Sequence, residues 1–540
     1  MKKRMTPFPR LILSVVGLIA LAETGLGQAP PLWGEIKPGP YAVGFRTIEK
    51  YDYARTFQPA KDYFGNPLPG QAARPIQACY WYPAEPGGAK MVYSEYAFPY
   101  PSESGFFDLL SQLQTRELGT LFFFQGNNQA RVQSLMELEM LAVRDAAPVS
   151  GTFPLIVYHG GERSAYSQNV ILCEYLASYG FVVATTHTFG LSTVAATENP
   201  ADIEAVIRDK ELVVAMMRDV SGVDAERLGL LGYDYGGTTA LLHQMRNYSV
   251  DALATLHGRF LTQEGSASLQ AAAGYDRLRM SAPWLQVYST SAPAADMGII
   301  DSLRYSDRSS LVVSGIMPNY FSTYGLMAVL LGADTARTMT QASQTQCAVY
   351  SYLYKFFDAY LNGNEESRAW MNIAPEQNGY ASGLLALASK EGEAVPPGQT
   401  EFGNLVQTYG IDRAAELVDE FDLLNPANPI LNDAAFTQLG YQFLQRGNVP
   451  SALVVFRWGV TAYPQSANAW DSFGEATAAN GDLDSALAYY RRAQEVLPSD
   501  TIVNAQMRGV LETSIPTNIT RLEQMIAERA GASDSTRSGN

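Results

Sequence analysis

The chain has 540 residues, which is long for one domain and suits two or three. Hydrophobic residues make up 47% of the sequence, so we expect a globular protein with a substantial buried core. The formal net charge of -16 argues against a nucleic acid or an anionic membrane surface as the main partner, because both repel an acidic protein.

The N-terminus has the pattern of a secretion signal. A basic start with Lys2, Lys3 and Arg4 precedes an apolar run over residues 11–22, and small residues follow. The run is shorter than the ~20 apolar residues that a membrane span needs. We therefore predict a signal peptide at 1–27, an exported protein that is periplasmic or secreted, and no stable membrane span after cleavage. An uncleaved N-terminal anchor is the alternative.

Strands and helices alternate through the middle of the chain. Between residues 151 and 363, apolar runs of strand length are separated by helical patterns, which is typical of a mostly parallel sheet with helices on both faces. We therefore predict an α/β fold. A mainly helical insertion at 102–145 precedes this part and either covers the site or extends the packing. The predicted strands of the core are 154–158, 181–185, 227–232, 252–256, 284–288 and 311–313.

The segment RLGLLGYDYGG at 227–237 predicts a strand, a sharp turn and a helix. That order is typical of the nucleophile elbow of α/β-hydrolases, where the motif G-x-S-x-G holds a serine. Asp234 occupies the serine position here. Aspartate tolerates the positive φ of such a turn, and the helix N-terminus stabilises its charge by ~0.3–1 kcal/mol. The turn can therefore form without the serine.

An oxyanion hole is predicted beside the elbow. Gly160 and Gly161 follow the strand at 154–158, where this fold supplies one backbone donor. The N–H of Tyr235, directly after Asp234, is expected to supply the other. Glycine suits the first place because the backbone must approach a substrate closely.

Several motifs outside the elbow carry a resemblance to a known family. They are PGPYAVGF at 38–45, RPI at 74–76, WYP at 81–83, FPLIVYHGG at 153–161, YGFVV at 179–183 and YKFFDAYL at 354–361. With them, residues 34 to 363 resemble the platelet-activating-factor acetylhydrolase and dienelactone hydrolase relatives among the α/β-hydrolases. The resemblance implies an acid where His257 stands. It implies a base histidine in the turn at 315–321, where Pro318 stands, or Asn319 after a shift of one residue.

Two interpretations of this site stay open. In the first, the changed triad makes the domain a catalytically inactive hydrolase that serves as a binding module, with a small ester-like molecule as a possible ligand. In the second, Asp234 attacks carbon and His257 activates the water that hydrolyses the intermediate, as the resemblance to dehalogenases and epoxide hydrolases implies. The remaining histidines, His159, His187 and His243, are expected to have structural roles.

Neither a metal site nor a cofactor site is indicated. The sequence has no HExxH motif, no CxxC pair and no phosphate-binding glycine loop. The cysteines Cys79, Cys173 and Cys347 are odd in number and far apart, so a disulfide framework is not indicated either. We expect no metal and no cofactor.

A third interpretation rests on an internal repeat of 34 residues near the C-terminus. The pairs at this spacing are Phe436 with Trp470, Gly440 with Gly474, Gly447 with Gly481, Ala452 with Ala486, Phe456 with Tyr490, and Pro464 with Pro498. The pattern resembles two tetratricopeptide repeats, at 432–465 and 466–499. The resemblance implies a concave helical surface that binds a peptide or a partner protein.

The predicted organisation follows from these segments. It comprises the signal peptide at 1–27, an α/β-hydrolase-like domain at 28–390, a linker at 391–400, a helical repeat domain at 401–530 and a disordered tail at 531–540.

Overall fold

The structure is a computed structural model and describes residues 29–57, 66, 72–98, 106–162, 165–247, 249–290, 296–393 and 398–537. The chain divides into two compact units, Met1–Glu393 and Ala394–Asn540. The predicted signal peptide at 1–27 lies outside the described residues. Within the described part of the chain, no helix is both long enough and apolar enough to span a membrane.

In the described residues, the first unit holds one sheet with the strand order β11-β10-β9-β8-β7-β5-β6-β2-β1-β4-β3. Neighbours from β10 through β6 pair in parallel, whereas β2 joins β6 and β1 in antiparallel fashion. The predicted mostly parallel α/β fold is thereby confirmed. The strands are β1 Ala42–Phe57, β2 Ala72–Ala84, β3 Lys90–Val92, β4 Glu139–Arg144, β5 Phe153–His159, β6 Val182–Thr185, β7 Val223–Tyr233, β8 Val250–Leu256, β9 Trp284–Ser289, β10 Arg308–Val313 and β11 Leu385–Lys390.

Helices cover both faces of this sheet. The helices of the first unit are α1 Tyr93–Ala97, α2 Phe107–Phe124, α3 Gln129–Met136, α4 Val170–Ser178, α5 Pro200–Arg218, α6 Tyr235–Arg246, α7 Gln263–Ala271, α8 Gly298–Ser302, α9 Thr323–Leu330, α10 Met339–Leu361 and α11 Glu365–Met371. Strand β5 shows why both faces are covered. Its side chains alternate between two separate apolar cores, with Leu155 and Val157 in one and Ile156 and Tyr158 in the other.

The predicted insertion at 102–145 is helical only in part. Helices α2 and α3 follow the prediction, but the segment ends in strand β4, which pairs with β1 in parallel and with β3 in antiparallel fashion. The sequence over 133–141 has a helical pattern, and pairing with the sheet overrides it because Met140 and Ala142 become fully buried there. Residues 102–105 lie outside the described part.

Buried hydroxyl groups fasten the helical insertion to the segments around it. The carboxylate of Glu117 on α2 accepts hydrogen bonds from Tyr93 (3.1 Å), Ser167 (2.7 Å) and Tyr324 (2.8 Å). Tyr324 also stacks on Phe124, with ring centroids 5.1 Å apart. Helix α2 is therefore held against α9, the helix that follows the turn of the predicted base.

Strand β4 is held to helix α4 by the buried carboxyl group of Glu174. The Glu174 carboxylate accepts hydrogen bonds from the Tyr96 hydroxyl (2.8 Å) and from the backbone N–H groups of Leu141 (3.2 Å) and Ala142 (3.0 Å). Burial raises the pKa of Glu174 to about 7, although these hydrogen bonds favour the ionised form.

Substitution of Glu174 by glutamine is expected to change the pH dependence of stability. The raised pKa keeps a proton on the folded state that the unfolded state has lost above its ordinary pKa of 4.5. The free energy of unfolding should therefore fall between about pH 4.5 and 7, by up to about 3 kcal/mol. Chemical denaturation across this range should show a shallower fall for Glu174→Gln. The exposed Glu137→Gln serves as control, and an unchanged slope in Glu174→Gln would contradict the assignment.

The second unit is helical throughout its described secondary structure. Its helices are α12 Gln399–Tyr409, α13 Ile411–Phe421, α14 Asp433–Gln445, α15 Val449–Ala462, α16 Ala467–Ala479, α17 Leu483–Val496 and α18 Ala505–Arg537. Helix α12 begins within the predicted linker at 391–400, of which residues 394–397 lie outside the described part. Helix α18 continues into the predicted disordered tail at 531–540, and residues 538–540 lie outside the described part.

Glycines at the same place in the two repeats allow close packing of paired helices. A Cβ atom on Gly440 of α14 would lie 2.5 Å from the Phe456 ring of α15, and one on Gly474 of α16 would lie 3.2 Å from the Tyr490 ring of α17. Both rings are buried. The 34-residue period thus records a repeated contact between a glycine and an aromatic ring.

We expect Gly440→Ala to destabilise the helix pair by about 1–3 kcal/mol, because the buried Phe456 ring cannot move aside freely. Gly403 in α12 offers a matched control, since a Cβ there meets nothing within 4 Å. Gly403→Ala should stabilise its helix by about 0.5–1 kcal/mol. Native-state hydrogen exchange of the amides in each helix measures both effects. Equal effects of the two substitutions would refute the packing argument.

Candidate functional site

The predicted elbow lies at the carboxyl end of β7. Asp234 stands between β7 and α6 with φ +52° and ψ -121°, outside the region that most residues adopt. A Cβ on Gly232 would lie 2.4 Å from the Gly236 carbonyl oxygen, and one on Gly236 would lie 2.0 Å from that of His159. Only glycine fits at these two positions, so the turn is tight and Asp234 has a fixed place.

The carboxylate of Asp234 is bound by an arginine. Its Oδ1 lies 3.1 Å from Nε of Arg259, and its Oδ2 lies 3.2 Å from Nη2 of the same guanidinium group. The backbone adds to this contact, because the N–H of Arg259 donates to the carbonyl oxygen of Asp234 at 2.8 Å. Arg259 is therefore joined to Asp234 through both backbone and side chain, in a two-pronged geometry that favours a strong ion pair.

Two more carboxylates bind the same guanidinium group. Glu198 Oε1 lies 2.8 Å from Nη1 of Arg259, and Glu162 Oε2 lies 2.9 Å from Nη2. The side chains of Arg259 and Asp234 are 28% and 31% exposed, so water reaches the cluster. Burial by itself lowers the pKa of Arg259, but its bonds to Asp234 and Glu198 raise it above the ordinary value. Three negative charges thus surround one positive charge.

The loop of the predicted oxyanion hole lies against the Asp234 carboxylate. Gly160 and Gly161 are buried there, and a Cβ on Gly161 would lie 3.3 Å from Oδ2 of Asp234. The N–H of Gly161 donates to Oε1 of Gln168 at 3.0 Å, and the N–H of Glu162 points to Oδ2 of Asp234 at 3.4 Å. The N–H groups of Gly161 and Glu162 therefore already have acceptors within the protein.

Tyr235 begins helix α6, as expected for the residue after the elbow. Its side chain is 1% exposed, and its hydroxyl group has no hydrogen-bond partner. The ring therefore contributes packing beneath the elbow, while the predicted role of its backbone N–H stays a prediction.

His257 lies at the end of the neighbouring strand but does not bond to Asp234. Its φ is +45°, its N–H donates to the Val287 carbonyl oxygen at 2.7 Å, and its ring stacks on Phe321. The backbone N–H of Ser289 donates to Nδ1 of His257 at 3.4 Å. Burial lowers the pKa of His257, and the charge of Asp234 opposes this shift. A neutral ring that accepts at Nδ1 carries its proton on Nε2, so Nε2 is a donor and not a base.

The turn of the predicted base comes close to the elbow. The Tyr233 hydroxyl, one residue before Asp234, donates to the carbonyl oxygen of Pro318 at 3.4 Å. Pro318 and Asn319 thus occupy the region where the resemblance places a histidine. Neither side chain can accept a proton at neutral pH, so this turn supplies no general base.

The other histidines are buried and bonded away from Asp234. His159 Nδ1 lies 2.9 Å from the Thr239 hydroxyl, and His159 Nε2 lies 3.3 Å from Nδ1 of His243. His187 bonds to the side chain of Gln77 at 3.2 Å. Burial lowers the pKa of all three histidines, which keeps them neutral.

The sequence interpretation missed Arg259, Glu162 and Glu198. The sequence held a clue to two of these residues. Glu162 directly follows Gly160-Gly161, and Arg259 stands two positions after His257. Charged residues at the carboxyl ends of parallel strands meet at one edge of a sheet. Glu198 lies in the long loop after β6, and no local pattern marks it. In the described part of the chain, no group of three or more His, Cys, Asp and Glu side chains is arranged to hold a metal ion.

Comparison with known proteins supports the fold of the first unit. The model of the dienelactone hydrolase family matches residues 168–274, which include the elbow and both His257 and Arg259. Together with the sheet order, this partial match defines the first unit as a relative of the α/β-hydrolases in fold.

A ferulic acid esterase from Streptomyces cinnamoneus is similar in structure, at 17% identity and a TM-score of 0.44. The alignment covers 66% of this chain and 98% of the esterase. No curated protein matches the chain.

A double-mutant cycle should detect the pair between Arg259 and Asp234. We expect Arg259→Gln and Asp234→Asn to be coupled by about 1 kcal/mol in the free energy of unfolding, because the pair is two-pronged but reached by water. The Lys90–Glu139 pair, at 3.0 Å with side chains 26% and 55% exposed, is the control. Its coupling should be smaller. Chemical denaturation of the four variants of each cycle gives both values, and equal coupling would contradict the expectation.

Proposed function

We propose that this protein is an exported binding protein built on a hydrolase fold, without hydrolytic activity at its elbow. The observation that carries the proposal is the Arg259 guanidinium group bound to both carboxylate oxygens of Asp234. A carboxylate nucleophile needs a free oxygen directed at the substrate, whereas both oxygens of Asp234 already accept hydrogen bonds from Arg259. Asp234 then serves as a fixed anion that fastens the turn after β8 to the elbow.

Two further features support the absence of turnover. Hydrolysis of an acyl or alkyl intermediate needs a base, and the Nε2 atom of His257 carries the proton in the tautomer that Ser289 selects. An oxyanion hole needs donors without partners, whereas Gly161 and Glu162 already direct their N–H groups to Gln168 and Asp234. On this proposal the chain keeps an α/β-hydrolase-like fold without its chemistry, and a small ester-like molecule is a candidate ligand of the altered site.

Asp234 as the nucleophile of an active hydrolase, with His257 as the base, is the second candidate function. One observation favours it, because His257 is close enough to Asp234 for the carboxylate to oppose the lowering of its pKa. This function requires Arg259 to move away from the carboxylate and the His257 ring to flip. Both steps break hydrogen bonds that are present in the structure, so we rank this function second.

The helical unit is proposed to supply the binding function. Its 34-residue period and the glycine–aromatic contacts of each helix pair support tetratricopeptide-like repeats, which bind peptides or proteins on the surface of their first helices. The basic and apolar start of the chain supports export to the periplasm or the exterior.

Purified protein should hydrolyse short acyl esters, haloalkanes and epoxides no faster than the Asp234→Asn variant does. The two proteins have the same fold and differ only in the nucleophile, so any turnover at the elbow must differ between them. Product formation measured for each substrate class tests this. Turnover in the wild type that Asp234→Asn and His257→Gln both abolish would overturn the proposal and establish the second candidate.

The Asp234→Ser variant should also stay inactive, because a serine there still lacks a base in the turn at 315–321. Its matched variant carries Pro318→His as well, which places a base in that turn. Robust ester hydrolysis by Asp234→Ser alone would show that another residue acts as the base.

A further inference from the structure

A cavity of about 420 Å³ lies in the first unit, between the start of helix α5 and the strands β1 and β2. Its volume falls within the range of about 300–1,000 Å³ that is typical of small-molecule sites. Its lining is rich in positive side chains, although the chain as a whole is acidic. The charged residues that line it are Arg55, Arg74, Arg208 and Glu204.

Buried ion pairs hold the walls of the cavity in place. The side chain of Arg74 is 1% exposed, its Nε lies 2.7 Å from Oδ1 of Asp209, and its Nη1 donates to the Gly190 carbonyl oxygen at 2.9 Å. Nη2 of Arg55 lies 2.9 Å from the same Oδ1 atom, and Nη1 of Arg55 donates to the Ala205 carbonyl oxygen at 3.2 Å. These bonds tie the loop after β6, helix α5, the end of β1 and the start of β2 together. The cavity is therefore formed before a ligand enters it.

Arg208 is the lining arginine that is most open to a ligand. The other two pair with Asp52 and Asp209, and their side chains are at most 12% exposed. The side chain of Arg208 is 53% exposed, and its Nε donates to Glu204 at 2.6 Å. Its two terminal nitrogens have no acceptor among the described residues. Glu204 also binds Arg246, so it keeps a positive partner when Arg208 turns to another anion.

The lining favours a small carboxylate over other ligands. A guanidinium group offers two parallel N–H donors, which match the two oxygens of a carboxylate. Leu191, which is 47% exposed, forms an apolar wall with Ala54 and Ala201, and a short hydrocarbon body can lie against it. A cationic ligand would be repelled by Arg208, and a doubly charged phosphate would be repelled by the nearby Glu204.

We propose that this cavity binds a small organic molecule with one carboxylate group, which pairs with the guanidinium group of Arg208. The hydrocarbon part of the molecule lies against Leu191 and Ala201. No residue of the elbow cluster lines the cavity, so the binding site does not depend on whether Asp234 carries out chemistry. The cavity and the proposed absence of hydrolysis are therefore tested separately.

Isothermal titration calorimetry of the full-length protein tests this proposal. The probes are benzoate, its neutral counterpart benzamide, the cation benzylammonium and inorganic phosphate. Benzoate should bind at least about tenfold more tightly than benzamide, which keeps the ring and loses the charge. Benzylammonium and phosphate should also bind at least about tenfold more weakly than benzoate. The affinity for benzoate should fall as the salt concentration rises, because water reaches the side chain of Arg208.

Substitutions on helix α5 locate the bound probe. Arg208→Gln should weaken the binding of benzoate by about tenfold, because it removes the charge and keeps a polar side chain. Arg218→Gln removes the same charge from an exposed position of the same helix outside the cavity, so the affinity should stay within about twofold. Ala201→Leu adds volume to the wall at an exposed position without changing the charge, and it should weaken binding by about threefold or more. Circular dichroism confirms that each variant is folded.

Each outcome decides for or against the cavity. Binding of benzoate that Arg208→Gln and Ala201→Leu both weaken supports the proposal. Equal binding of benzoate and benzamide, or equal loss in Arg208→Gln and Arg218→Gln, would overturn Arg208 as the partner of the carboxylate. Tighter binding of phosphate than of benzoate would overturn the class of ligand, and binding of none of the probes would overturn the cavity as a site. The elbow is judged by the turnover measurements alone.

Discussion

The close packing of the elbow is the constraint on which the candidate site depends. Gly232 and Gly236 bring helix α6 so near to the ends of β5 and β7 that a side chain on either would collide with backbone. The chain must therefore turn at Asp234 with positive φ, and the side chain at that position must project above the sheet. The fold fixes where this side chain stands, and the residue type decides what chemistry occurs there.

A serine at this place would present a neutral hydroxyl group that a histidine could activate. A carboxylate instead adds a negative charge at the carboxyl ends of the strands, and this charge needs a positive partner. Arg259 supplies it, and the guanidinium group in turn recruits Glu162 and Glu198 from two other loops. The result is a network that joins four loops at the carboxyl end of the sheet. Stability and catalysis conflict here, since the bonds that hold Asp234 are those that a nucleophile must lack.

Carboxylates play opposite parts in the two units. In the first unit, the carboxylate of Asp234 is paired with Arg259 of the same chain, so its negative charge has a positive partner. In the helical unit, Asp433 and Asp471 keep buried oxygens without partners, and no positive side chain of that unit's described residues pairs with them.

Much of the fold could be predicted from the sequence, because local patterns carry it. The apolar runs at 154–158, 252–256 and 284–288 lie within strands β5, β8 and β9, and the 34-residue period marks the repeated helix pairs. Strands near the two ends of the sheet were harder to predict. Strands β4 and β11 are short and lack a distinct pattern, and they exist because β1 and β10 offer free backbone groups for pairing.

The sequence by itself determined that a carboxylate replaces the serine, that the base turn has no histidine and that an α/β unit precedes helical repeats. Only the tertiary structure decided which groups bind that carboxylate. His257 and Arg259 are two positions apart after the same strand, and either could have faced Asp234. The backbone at His257 directs its ring to Phe321 and Ser289, which leaves Arg259 to meet the carboxylate. Such a choice depends on the direction of side chains in a turn, and no local sequence pattern records that direction.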